Sequence, residues 1–131
     1  MTGQNNELIQ FRVKRAQDTL EDARILLKAK RYNACINRLY YACFYAVTAL
    51  LAQKDLHSNK HSGVRSLFNL HFVKTQKVPR HHATTYNDLF ERRQESDYVD
   101  FVSFESSLID PLMKKAESFV ECVAKLIEAN T

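Results

Sequence analysis

Residues 32–52 read YNACINRLYYACFYAVTALLA, a helix's length of chain that is apolar or aromatic around almost its whole circumference. A chain of 131 residues can hide such a segment from water only by packing other helices around it. At about 100° per residue, Cys35, Ile36, Leu39, Tyr40, Cys43, Ala46, Val47 and Leu50 fill one continuous half of the wheel. The other arc carries Asn33, Asn37, Arg38, Tyr41, Tyr45 and Thr48, hydrogen-bonding groups interleaved with aromatic rings. The apolar half is expected to be bundle core, and the polar-aromatic arc a second, wetter contact surface. Asn37, Arg38 and Thr48 interrupt the run and amphipathic segments flank it, which argues against a membrane span.

The rest of the composition agrees with helices. Glycine and proline occur only at Gly3, Gly63, Pro79 and Pro111, too few for the many turns of an all-β fold. The length suits one domain over residues 1–131, burying about two thirds of its unfolded surface without metal or disulfide. Cys35 and Cys43 stand eight positions apart on one helix, about 12 Å, which is beyond disulfide reach. With Cys122 they read as buried, reduced thiols of a cytoplasmic protein. The opening MTGQNNELIQF has neither the basic start nor the apolar core of a secretory signal.

The net charge of +4 is unevenly spread. Between Lys54 and Tyr86 six basic residues face one acid, and between Asn87 and Asp110 two face seven. A basic middle can meet a phosphate backbone or an acidic partner, or be satisfied by the acidic stretch beside it.

Apolar spacing places a first helix at about 6–29, with Ile9, Val13, Ala16, Leu20, Ala23 and Leu27 in one stripe and Lys14, Asp18 and Glu21 on a solvated face. The short turn before Tyr32 makes helices one and two antiparallel neighbours. A third helix is expected over 60–73 with Val64, Leu67, Phe68 and Phe72 inward, and a fourth over 80–98 using Tyr86, Leu89 and Phe90. The last uses Ile109, Leu112, Ala116, Phe119, Val123 and Leu126. Either Ser103 caps it, with Pro111 inside, or Asp110 caps it, with Pro111 at the first helical position. The architecture is all-α: an antiparallel four- to five-helix up-down bundle.

Several chemistries are missing. There is no glycine-rich phosphate loop, no nucleophile elbow and no CxxC pair. His57 and His61 have i, i+4 spacing but straddle a helix start, which favours capping or solvent exposure over a metal site. His81 and His82 are expected on the surface at the start of helix four. No metal and no cofactor are expected.

Two arginine-containing stretches remain. Arg65 and His71 lie about 120° apart on a helix and do not share a narrow face. In FERRQESDY, Arg93 and Asp97 are i, i+4 and within reach of each other, and a guanidinium beside a phenol can hold a phosphate.

The ordered segments NRLYYACFYAVTALL, HSGVRSLFNLHFVKT and LFERRQESDYVDF together resemble the HEPN superfamily, in particular its short stand-alone prokaryotic members, over about Leu8 to Ala129. The resemblance implies a helical bundle that forms a homodimer, often paired with a minimal nucleotidyltransferase as toxin and antitoxin. Active relatives are metal-independent ribonucleases marked by an arginine, four to six residues, then a histidine. In the toxin subgroup a tyrosine two residues later is adenylylated by the partner.

Carried onto this chain, the signature falls on RRQESDY: Arg92 or Arg93 as the arginine, Asp97 at the histidine position, and Tyr98 one residue after it. An aspartate cannot replace an imidazole as proton carrier at neutral pH or as a cation for phosphate. The leading expectation is a non-catalytic or weakly catalytic module that dimerises through helices two and four and binds a nucleotidyltransferase partner or a nucleotide, with RNA as a further candidate ligand. Asn37, Tyr41 and Tyr45 would line a cleft near Arg92, Arg93, Asp97 and Tyr98. The alternatives are a ribonuclease toxin using the degenerate Arg-Asp-Tyr motif, and a scaffold whose tyrosines are only packing.

Overall fold

A computed structural model describes residues 3–98, 104 and 106–131, with side chains for 5–94, 104 and 106–131. Helix α1 spans Gly3–Lys28, α2 Tyr32–Ala52, α3 His61–Phe68, α4 Arg80–Tyr98 and α5 Ser106–Ala129, with no strand among the described residues. A π-helical turn, Asn69–Val73, extends α3. The expected third helix therefore changes pitch halfway, and the Lys74 N–H reaches back five residues to the Asn69 carbonyl at 2.8 Å.

With so little glycine, the chain turns on other residues. Lys30, Asp55 and Gln76 adopt left-handed backbone angles, with φ of 60°, 57° and 62°. After α1 the Arg31 N–H bonds Leu26 O at 2.9 Å and the Lys30 N–H bonds Leu27 O at 3.0 Å, closing the helix end. The same pattern ends α2, from Leu56 to Leu51 and from Asp55 to Ala52. Each left-handed residue with a Cβ costs about 1–2 kcal/mol, which the carbonyls satisfied there offset.

Cross-helix contacts fix the directions. Asn5 with Asp55, Arg12 with the Thr48 carbonyl and Cys35 with the Ala23 carbonyl set α1 and α2 antiparallel. Tyr86 beside Cys43, with Phe90 and Arg93 against Tyr40, sets α4 antiparallel to α2. The Gln53 amide on Ile127 O and the Arg24–Glu117 pair at 2.6 Å place α5 alongside α2 and antiparallel to α1. The long helices run up-down-up-down, and the all-α bundle is as expected.

Every residue assigned to the apolar half of α2 is buried, joined by Ala42, Ala49 and Leu51. Among the described helices α2 alone is long and apolar enough to cross a membrane, but its core half is covered by α1, α4 and α5. Tyr86, Leu89 and Phe90 are buried as expected.

Some expectations change. Helix α5 starts at Ser106 and carries Pro111 within it, so Asp110 is not its cap; Ser103 lies outside the described residues. The proline sits in the second turn, where it forfeits one backbone bond while Ile109 and Leu112 stay buried. Leu126 is only partly covered and Ile127 takes the core position. Cys122 is also partly exposed, unlike Cys35 and Cys43. His82 is buried against Phe119 instead of lying on the surface, because α5 packs over the start of α4.

Candidate functional site

The polar-aromatic arc of α2 meets α3 and α4 around Tyr40, whose ring is fully buried. Phe44, Tyr41, Tyr86 and Phe90 surround it with ring centroids 5.1–6.0 Å away. The Tyr40 hydroxyl lies 2.7 Å from His61 Nδ1 at the start of α3. The imidazole stacks on Phe44 at 4.5 Å and meets the edge of Tyr41 at 5.7 Å. His61 is therefore part of the helix junction, not a solvent-exposed cap.

Arginines enter the same cluster from three helices. The Arg93 guanidinium stands 5.0 Å from the Tyr40 ring and 5.9 Å from the Tyr41 ring. Arg65, one turn after His61 on α3, covers Phe90 at 3.9 Å. Arg38 lies over Tyr41 at 5.1 Å and bonds Asn37 Oδ1. Stacking lets a guanidinium shed water on its flat face while keeping its charge.

The structure separates the adjacent arginines. Arg92 turns outward and pairs with Asp88 at 2.9 Å, an i, i+4 pair with the acid first. Arg93 is 8% exposed and sits against α2. Of the residues expected to line a cleft, Tyr41 is beside Arg93 and Asn37 is held by Arg38. Tyr45 is covered instead by Arg15 of α1 at 4.4 Å, although its ring lies 5.9 Å from that of Tyr41. Helix α4 reaches Asp97 and Tyr98, whose side chains lie outside the described residues.

Burial tunes the titrating groups. It pushes the Tyr40 phenol up to about 12, against smaller opposing effects of Tyr86 and Arg93. His61 falls below 6.5, through burial first and the Arg93 charge second. Both effects leave a neutral phenol and a neutral imidazole in contact near a fixed positive charge. No group of histidine, cysteine and carboxylate residues that could hold a metal occurs among the described residues.

The sequence places Tyr40 in the apolar core and gives His61 a capping or solvent-exposed role, and so misses that they touch. Their separation of 21 residues hides the contact, and the one local signal is His61 standing a turn before Arg65 on a short helix. Arg65–His71, which meets the family spacing in form, is divided: Arg65 faces Phe90 while His71 belongs to the π-helical turn.

Fold and site define a small all-helical bundle with an arginine–aromatic cluster where α2, α3 and α4 meet. Residues 9–127 match the HEPN domain family, and the chain belongs to it. It is 43% identical over 125 residues to a "UPF0332 protein" of Thermotoga maritima, covering 95% of both chains. It is also 30% identical over 122 residues to a protein of Methanocaldococcus jannaschii named "Putative toxin", covering 93% of this chain and 90% of that one. A second protein of that organism with the same designation is 29% identical over 115 residues, covering 88% and 78%.

Proposed function

We propose that this chain is a toxin-like HEPN module whose working surface is the face of α2 and α4 around Arg93 and Tyr41. The observation that carries this reading is the division between the two arginines. Arg92 lies on the helix surface beside Asp88, whereas Arg93 is turned inward and nearly buried against two tyrosine rings. Burying a guanidinium is costly, and packing alone would be served better by an apolar side chain. A charge kept there suits recognition of phosphate on a nucleotide or RNA. The relatives named as toxins cover nearly the whole chain and support the same role.

In this reading the module works in the cytoplasm as a homodimer through α2 and α4, and a minimal nucleotidyltransferase is its antidote. Tyr98 is the hydroxyl such a partner would adenylylate. Induced expression in a bacterial host tests the proposal. The wild-type chain should arrest growth, Arg93→Ala should release it, and Arg92→Ala should still arrest. Circular dichroism on the purified variants separates lost function from lost fold. Unimpeded growth with the wild-type chain, or arrest unchanged by a folded Arg93→Ala, overturns the reading.

A further inference from the structure

At the end of the bundle where α1 begins and α2 ends, the two helices flank a cavity of about 210 Å³. Asn5, Leu8 and Arg12 stand on one face of α1, at i, i+3 and i+7, and Ala52, Asp55 and Leu56 close the other side. Tyr40 and Ala52 lie about 18 Å apart along α2, so the cavity is separate from the arginine–aromatic cluster.

The wall from α2 is a fixed turn. Asp55 takes a left-handed backbone angle, φ 57°, and the Leu56 N–H bonds Leu51 O at 2.9 Å. The Asn5 amide donates to Asp55 Oδ1 at 2.9 Å, which holds the carboxylate toward α1 and leaves most of its lone pairs unused. Across the cavity the half-buried Arg12 donates from Nη1 to the Thr48 carbonyl at 3.2 Å, one bond for a group with several donors. Burial works against its charge, which an arginine cannot shed. Arg12 and Asp55 line the same cavity, yet neither forms an ion pair among the described residues, unlike Arg24 with Glu117 and Arg92 with Asp88. In a packing gap such opposite charges would close on each other. Held apart around a small space, they match a ligand that carries both charges itself.

We propose that this cavity binds a free aliphatic α-amino acid as its zwitterion, Arg12 taking the carboxylate and Asp55 the ammonium. A guanidinium fork meets a carboxylate with paired hydrogen bonds. Leu8, Ala52 and Leu56 form the apolar wall for the side chain, and Leu8, 40% exposed, gains cover from it. Size sets the class of ligand, because drug-sized molecules need about 300–1,000 Å³ and this cavity is smaller. Charge does so too, since a phosphate dianion would meet the Asp55 carboxylate. The site goes beyond the toxin-like reading and does not depend on it.

The test uses the full chain and L-leucine, followed by amide NMR and calorimetry. Millimolar leucine should move the resonances of Asn5, Leu8, Arg12 and Leu56 saturably and leave those of Tyr41 and Arg93 in place. Isocaproate, which lacks the ammonium, and isoamylamine, which lacks the carboxylate, should each bind at least about tenfold more weakly. Asp55→Asn keeps an acceptor for Asn5 and tolerates the left-handed angle, so it should abolish the preference for leucine over isocaproate without disturbing the fold. Arg12→Lys keeps a donor for Thr48 but loses the fork, and should weaken leucine binding about tenfold. No saturable shift with leucine, equal binding of the three compounds, or leucine bound unchanged by Asp55→Asn overturns the proposal.

Discussion

The Tyr40 hydroxyl and His61 Nδ1 meet at 2.7 Å, joining the middle of α2 to the first residue of α3 across 21 positions of chain. Around that contact a nearly buried arginine, two further tyrosines and a second arginine are gathered. A hydrogen bond that deep links stability, protonation and site geometry.

The two buried tyrosines should respond differently to loss of their hydroxyls. Tyr40→Phe removes a bond that is made and should cost about 1 kcal/mol in urea unfolding. Tyr86 is equally buried, and its hydroxyl finds no partner at hydrogen-bond distance and angle among the described residues. Tyr86→Phe should therefore be neutral or stabilising by about 1 kcal/mol. Equal losses from both substitutions would contradict this distinction.

Acid should weaken the fold through its histidines. His61 and His82 both titrate below 6.5 in the folded state, mainly because burial disfavours their charged forms. The unfolded chain then binds more protons in that window, so stability is fully present above 6.5 and declines as pH falls through the lower folded values. Thermal melts from pH 7.5 to 5 should show the midpoint dropping, with a shallower slope in His61→Gln. A midpoint flat over that range would refute the assignment.

The three cysteines should differ in reactivity. Burial raises all of their thiols, that of Cys35 up to about 11 and that of Cys43 higher still. Cys122 is partly exposed and lies beside Lys125, which opposes the shift. Iodoacetamide on the native protein should label Cys122 first, and the other two should react only in denaturant. Mass spectrometry showing Cys43 modified as early as Cys122 would mean that α2 is not the core element described here.

Gly63 is required by a close approach rather than by its backbone angles. A Cβ there would lie 2.9 Å from Ser58 Cβ and inside contact distance of its hydroxyl oxygen. Gly63→Ala should displace the turn before α3, costing about 1–3 kcal/mol and disturbing His61, two residues away. A shifted His61 resonance together with a lowered melting temperature is the expected pair of observations. An alanine variant as stable as wild type would show that the turn yields freely.

The helices were legible because apolar spacing is a local property. The half-wheel of α2 was buried residue for residue, and the limits of α2 and α4 matched. The π-helical turn after Phe68 was not legible, since NLHFV has no breaker and its altered bonding arises where Phe72 turns into the core. His82 was misplaced because periodicity on α4 is weak and only the packing of α5 covers that residue.

The site was half visible. Sequence alone determined that an all-helical bundle would form and that Tyr41 would lie on the polar-aromatic side of α2, because helix period sets which residues share a face. Tertiary structure decided which arginine turns inward, and that His61 joins Tyr40 while Tyr45 goes to Arg15. Those choices depend on how separate helices are rotated and offset against one another, and each arises from the packing of side chains distant in sequence.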